Sequence, residues 1–143
     1  MTSKPKGKLM RTLMVGAAVL ASLTLTTSAH AAAGSDHLNA GEALYPGQSI
    51  SNETASGLTT LTMQDNGDLV LQASDGRVCW HSNTTTGFYA IYQSDDNFVV
   101  YDQGNHPVWA SGTQGDGGDT TNVNMYGQVW VGEDEITGGY CVQ

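Results

Sequence analysis

Gln93-Ser94-Asp95-Asp96-Asn97-Phe98-Val99-Val100-Tyr101 is the stretch from which the rest of the chain is read. In an extended strand, residues two apart share a face. Asn97, Val99 and Tyr101 are therefore expected on one side, with Phe98 and Val100 on the other. Asp95-Asp96 interrupts the apolar pattern and reads as a tight turn, so that Gln93 ends an incoming strand over residues 89–93. Such a hairpin gathers amide, carboxylate, methyl and phenol groups on one surface. Amides and carboxylates pair with adjacent hydroxyls, a valine covers ring carbons and a phenol reaches a further hydroxyl. This chemistry suits a neutral polyol better than an ion or a phosphate.

The pattern is repeated. Setting Gln64 against Gln93 aligns Met63 to Gln72 with Tyr92 to Tyr101, a step of 29 residues. Sixteen residues after Gln64 comes Trp80, and sixteen after Gln93 comes Trp109. The flanking text agrees: Val78-Cys79-Trp80-His81-Ser82-Asn83-Thr84 lies against Val108-Trp109-Ala110-Ser111-Gly112-Thr113. A fainter copy starts at Asn124, with Tyr140 sixteen residues later. The third and fourth residues of the copies are Asn66-Gly67, Asp95-Asp96 and Tyr126-Gly127, and Asn-Gly is a strong hairpin signal. A second turn is read at Asp75-Gly76, at Gly104-Asn105 and within residues 132–138. Each unit thus predicts strand, hairpin, strand, turn and a third strand bearing an inward aromatic, with residues 37–62 supplying the opening strands. A small three-sheet domain has a thin centre, and one large ring per sheet would fill it; Trp80, Trp109 and Tyr140 are the expected core aromatics. Abundant Gly, scarce Pro and short apolar alternations place the fold in the all-β class.

Gln-x-Asp-x-Asn-x-Val-x-Tyr over 93–101 resembles, at all five specified positions, the mannose-binding motif of the bulb-type (monocot-type) mannose-binding lectins. Leu38-Asn39-Ala40-Gly41-Glu42 with Leu44-Tyr45-Pro46-Gly47-Gln48 is similar to the opening of that family, and the resemblance runs over about residues 38–143. It implies a β-prism II fold: three antiparallel four-stranded sheets with pseudo-threefold symmetry, each carrying one potential mannose site. It further implies that Asp95 and Asn97 hold the axial O2 of mannose, Gln93 the O3 and Tyr101 the O4, while Val99 packs on C3 and C4. A hydroxyl network of this kind rejects sugars whose hydroxyls point elsewhere, because groups of the site are left unpaired. The first copy keeps Gln64 and Val70, exchanges amide and carboxylate at Asn66 and Asp68, and has Gln72 for the tyrosine. It is expected to be a degenerate second site with weak or absent mannose binding. The third copy carries Asn124, Tyr126, Gln128, Trp130 and Gly132 at the five positions and is expected to be dead for mannose. The resemblance also implies a homodimer formed by exchange of C-terminal strands, although three residues after Tyr140 and a bonded Cys141 would sit poorly with that exchange.

Residues 1–31 read as a signal peptide: Lys4, Lys6, Lys8 and Arg11 precede an apolar stretch over 13–25 and a small-x-small sequence at Ala29-His30-Ala31. The lectin domain is then 32–143, and the chain is expected to be secreted. Removing the leader leaves Arg77 against all fourteen acidic residues, a net charge of −13. Such a surface repels phosphate backbones and anionic membranes, so neither nucleic acid nor membrane insertion is expected. Cys79 and Cys141 both lie in the exported part. An intramolecular disulfide is the favoured expectation, with two partly buried thiols as the alternative. His37, His81 and His106 show no paired spacing, and no metal or other cofactor is expected.

Two further function classes compete with this reading. Glu133-Asp134-Glu135 and Asp116-Gly117-Gly118-Asp119 could suggest a carboxylate pair or a calcium loop, but a glycosidase needs two carboxylates across a cleft. Solvated loops are the better reading, and no enzyme is expected. The alternative to a mannose-binding lectin is a lectin scaffold with impaired sugar binding, used as a protein-interaction, inhibitor or toxin module. A glycan array separates the two.

Overall fold

A computed structural model describes residues 35–142. The expected leader lies outside the described residues. Twelve strands follow one another among the described residues. The first three are β1 (His37–Asn39), β2 (Ala43–Leu44) and β3 (Ser49–Thr54). Next come β4 (Gly57–Met63), β5 (Leu69–Ala73), β6 (Val78–His81) and β7 (Tyr89–Tyr92). The remainder are β8 (Phe98–Tyr101), β9 (Pro107–Ala110), β10 (Thr120–Val123), β11 (Val129–Val131) and β12 (Asp134–Glu135). They form three four-stranded sheets in the orders β3-β4-β5-β6, β2-β7-β8-β9 and β1-β10-β11-β12, here called sheets one, two and three. Neighbouring strands in each sheet pair antiparallel. Each repeat copy contributes three strands to one sheet. The fourth comes from the segment 37–54, which deals β1, β2 and β3 to three different sheets.

The hairpins are built alike because the turn chemistry is alike. In each copy the N–H of the motif's first residue bonds the carbonyl four residues on: Gln64 to Asp68, Gln93 to Asn97 and Asn124 to Gln128, each at 2.9 Å. The fourth residue takes a positive φ: Gly67 (89°), Asp96 (69°) and Gly127 (69°). Asp is among the few non-glycine residues that accept this region, which is how Asp95-Asp96 turns where the other copies use glycine. On the far side, Leu71 faces Trp80 and Gln72 faces Val78, while Val100 faces Trp109 and Tyr101 faces Pro107. Sheets one and two therefore carry the same bulge, with Cys79 and Val108 as the extra residues.

Inward side chains stack by copy. Met63, Tyr92 and Val123 form one layer, Leu69, Phe98 and Val129 a second, and Leu71, Val100 and Val131 a third, all buried. Leu38, Leu44 and Ile50, one from each dealt-out strand, are fully buried against them. Thr121 takes the place of Leu61 and Ala90, and its Oγ1 is buried without a partner. Trp80 and Trp109 pack on this core and meet edge to face, with ring centroids 5.3 Å apart.

Tyr140 does not join them. It is 66% exposed and touches Tyr126 edge-on at 5.8 Å. Nine residues separate Leu71 from Trp80 and Val100 from Trp109, but the β11–β12 hairpin closes through Gly132-Glu133, so that Val131 faces Asp134. The sixteen-residue offset therefore overshoots the shortened strand. Asp134 occupies the register position of the tryptophans, and Ile136 is the apolar residue of this segment that packs on the core. Cys141 is buried and bonded to Cys79, with Cα atoms 5.5 Å apart and a sequence separation of 62. Closing a loop of that size contributes roughly 4 kcal/mol on the chain-entropy account.

Candidate carbohydrate site

On sheet two the alternation of β8 falls as the sequence requires. Phe98 and Val100 are fully buried in the core, while Asn97, Val99 and Tyr101 belong to the opposite face. That face is not open: Asn97 is 4% and Val99 3% exposed. Gln93 and Tyr101 close on each other, Gln93 Nε2 donating to Tyr101 Oη at 2.6 Å, with Val99 between them along the hairpin. Tyr101 stacks on Tyr89 at 5.2 Å, and Tyr89 stacks on Tyr45 at 5.5 Å. The Tyr89 hydroxyl donates to Asn105 Oδ1 at 3.1 Å, so this row holds the motif tyrosine from behind. Burial, then the neighbouring Tyr101 and Tyr45 hydroxyls and the Asp102 carboxylate, keep the Tyr89 phenol above the usual range and thus protonated.

Asp95 is exposed at the turn, and its Oδ1 accepts the backbone N–H of Asn97 at 3.1 Å. The Asn97 Oδ1 accepts both the Ser111 hydroxyl and the Gly112 N–H, each at 3.0 Å. An amide whose oxygen is satisfied in this way has its NH2 group left to donate. A cleft of about 470 Å³ opens beside the motif, lined by Ala40, Gly41, Ile91, Gln93, Ser94 and Asp95. The five motif residues are thus brought to one face by one hairpin, and hydrogen bonds join Gln93 to Tyr101 and Asp95 to Asn97.

Sheet one repeats the backbone and changes the chemistry. Gln64, Asp68 and Val70 line a cleft of about 350 Å³ with Val78 and His81. Asp68 stands where sheet two has Asn97. Its Oδ1 accepts Ser82 Oγ at 2.9 Å and Thr84 N–H at 3.2 Å. Its Oδ2 lies 2.9 Å from His81 Nδ1. Partial burial pushes the Asp68 carboxyl up, but the bonds from Ser82, His81 and Thr84 outweigh it and hold it below its ordinary value. The Asn66 Oδ1 is used on the Asp68 N–H at 3.1 Å, and Gln72 Nε2 turns away to the Gly76 carbonyl at 2.7 Å.

In sheet three the motif positions satisfy one another. Asn124 Nδ2 donates to Gln128 Oε1 at 2.9 Å, and Asn124 Oδ1 accepts the N–H groups of Tyr126 and Gln128. Trp130 Nε1 also reaches Gln128 Oε1, at 3.4 Å. Among the described residues, clefts of similar size, about 480 Å³, lie elsewhere, one around Asp65, Phe88 and Asp102 and one around Trp80, Trp109 and Asp134. Neither is lined by a residue of the sheet-two motif.

Sequence reading of the motif missed the residues behind it. Ser111 and Gly112 hold Asn97, Thr113 holds the Asp96 carbonyl before it, and His81 claims Asp68 where sheet two has Ala110 opposite Val99. The signal was present in the aligned flanks, where Ser-x-Thr follows the motif in both copies.

No family model matches the sequence. A mannose-specific lectin of Aloe arborescens is 39% identical over 56 residues, which span 36% of this chain and 49%, about half, of that protein. Among solved structures, a lectin from Allium sativum is 34% identical with a TM-score of 0.58, over 66% of this chain and 90% of that one. The mannose-specific agglutinin of Galanthus nivalis, solved with methyl-α-D-mannoside, is 30% identical with a TM-score of 0.59, over 69% and 91%. With three antiparallel four-stranded sheets and relatives at this identity and coverage, the chain belongs to the bulb-type mannose-binding lectin family and has its β-prism II fold.

Proposed function

We propose that the protein is a secreted, non-catalytic lectin that binds mannose or mannosylated glycans at one site per chain, on sheet two. The observation that carries this reading is the Asn97 amide. With its oxygen held by Ser111 and Gly112, its NH2 is the end left to donate to a ligand, and the exposed Asp95 carboxylate lies two residues away on the same hairpin. One ligand hydroxyl can accept from Asn97 and donate to Asp95 at once, as the axial O2 of mannose does in the arrangement implied by the motif. Sugar hydroxyls O3 and O4 then replace the Gln93–Tyr101 hydrogen bond, each group gaining a hydroxyl partner, and Val99 is uncovered for the ring carbons. An equatorial O2 misses the Asn97–Asp95 pair and leaves two polar groups unpaired.

Sheet one supports single-site binding by contrast, since both Asp68 oxygens are already engaged and Gln72 faces away. Secretion rests on the leader read in residues 1–31, and a glycan with several mannose ends would gain avidity if the protein pairs into a dimer. Calorimetric titration with methyl α-mannoside and methyl α-glucoside tests the reading. Mannoside binding near one site per chain, at least about tenfold stronger than glucoside binding and lost in Asn97→Ala, is expected. Equal affinity for the two sugars, or no binding of either, rejects it in favour of the interaction-module alternative.

A further inference from the structure

Behind the motif lies a second constellation, drawn from a different strand connection. The Ser111 Oγ accepts the Phe98 N–H at 2.9 Å and donates to Asn97 Oδ1 at 3.0 Å. Thr113 Oγ1 stands 2.8 Å from Ser111 Oγ and donates to the Asp96 carbonyl at 2.7 Å. Gly112, at φ 76°, turns its N–H onto the same Asn97 oxygen. Ser111 and Thr113 thus grip the hairpin on both sides of Asn97, at the carbonyl before it and the N–H after it. Thr113 is itself buried.

Sheet one shows that this grip is independent of the residue it holds. Leu69 N–H donates to Ser82 Oγ at 3.1 Å, Ser82 donates to Asp68 Oδ1, and Thr84 Oγ1 donates to the Gly67 carbonyl at 2.7 Å. Asn83 takes the positive φ of Gly112, at 58°. In sheet three only half persists: Val129 N–H donates to Thr137 Oγ1, whose hydroxyl goes to Glu135 instead of to a motif side chain. The full Ser-x-Thr grip occurs in the two copies with Asp68 or Asn97 at the motif's third specified position, and not in the copy that has the longer Gln128 there.

We infer that Ser111, backed by Thr113, is a positioning residue for sugar recognition: it fixes which end of the Asn97 amide faces the ligand and so sets the preference for an axial O2. An amide's two ends have nearly the same shape, so packing alone does not choose between them. The Gly112 N–H does choose, because a flipped Asn97 would set its NH2 against a donor, and the Ser111 hydroxyl, whose oxygen already accepts the Phe98 N–H, adds its one proton to the Asn97 oxygen. Loss of Ser111 leaves the Gly112 N–H as the one remaining restraint and admits the flipped amide, whose oxygen cannot donate to the sugar.

This inference rests on the mannose reading of the same site, and its test separates the two. Affinities for methyl α-mannoside and for its 2-deoxy analogue are measured by NMR titration on the full chain and on Asn97→Ala, Ser111→Ala, Ser111→Thr and Ser82→Ala. Ser111→Ala should bind the mannoside about tenfold more weakly and the 2-deoxy analogue, which offers Asn97 no hydroxyl, as the wild type does. Ser111→Thr, which keeps the hydroxyl, should restore most of the loss. Ser82→Ala removes the equivalent bond in sheet one; it should lower the melting temperature comparably and leave mannoside affinity unchanged. Equal weakening of both ligands in Ser111→Ala, or weakening in Ser82→Ala, identifies a structural effect and overturns the positioning role. Ser111→Ala binding like the wild type while Asn97→Ala does not bind overturns the positioning role alone. A wild type that does not bind the mannoside overturns the mannose reading and this inference with it.

Discussion

Sheets one and two are near copies in backbone and opposites in chemistry. Both have the same hairpin register, the same bulge, the same core layers and the same Ser-x-Thr grip. They differ at the residue being gripped and at its neighbours. In sheet two the grip holds an amide and leaves a donor free, with Ala110 opposite Val99. In sheet one it holds a carboxylate, and His81 stands opposite Val70 and takes the remaining oxygen. In sheets one and two the fold therefore supplies a holder for one side chain, and the identity of that side chain decides whether the face can read a sugar. A satisfied carboxylate–imidazole pair is a stable surface and a poor site, since the gripped side chain itself has no group left for a ligand hydroxyl unless a charge-assisted contact is broken.

Transplanting this difference in either direction gives the largest effects. Introducing Asn97→Asp with Ala110→His should copy sheet one into sheet two and weaken mannoside binding by about a hundredfold or more, as read by calorimetry. Retained affinity would mean that the Asn97 amide is not the reading group. The reverse graft, Asn66→Asp, Asp68→Asn, Gln72→Tyr and His81→Ala, should raise the titrated stoichiometry from one to two mannosides per chain. A stoichiometry that stays at one would show that sheet one differs in more than these four side chains. Tyr101→Phe keeps the ring stacked on Tyr89 and removes one hydroxyl, so a loss of about tenfold in affinity with an unchanged melting temperature is expected.

The smallest effect concerns acid stability. The Asp68 carboxyl is held below its unfolded-state pKa, so the unfolded chain binds more protons as the pH falls into the carboxylate range. Its contribution is full above the unfolded value of about 3.9 and is lost as the pH drops through the lower folded value. Denaturant melts from pH 7 to pH 2 should therefore show a shallower acid loss in Asp68→Asn than in the wild type, while Asn97→Ala in sheet two should follow the wild-type slope. Parallel curves for Asp68→Asn and the wild type would show that the Ser82, Thr84 and His81 contacts do not stabilise the charge.

Much of this architecture was legible because it is written three times. The turn residues Asn66-Gly67, Asp95-Asp96 and Tyr126-Gly127 and the apolar residues around them determine the hairpins locally, and the positive φ values fall where the repeat requires. The dealing of β1, β2 and β3 to three sheets was not legible, because these strands carry no repeat text and find their sheets through burial of Leu38, Leu44 and Ile50. Tyr140 was misread for a related reason. A constant offset assumes equal loops, and the third copy shortens its second hairpin to Gly132-Glu133. At the site, the five motif residues sit on one hairpin and can be read together. His81 ends β6 and Ser111 follows β9, and their roles appear only once the fold places them against Asp68 and Asn97.

The most direct measurement is chemical-shift mapping of the isotope-labelled protein titrated with methyl α-mannoside. If sheet two alone reads the sugar, saturable shifts will gather on the backbone amides of 93–101 and 110–113, and the matching segments 64–72 and 81–84 will stay silent at the same ligand concentrations. Equal saturable shifts on both sheets, or shifts confined to any face other than that of Asn97, would contradict the account.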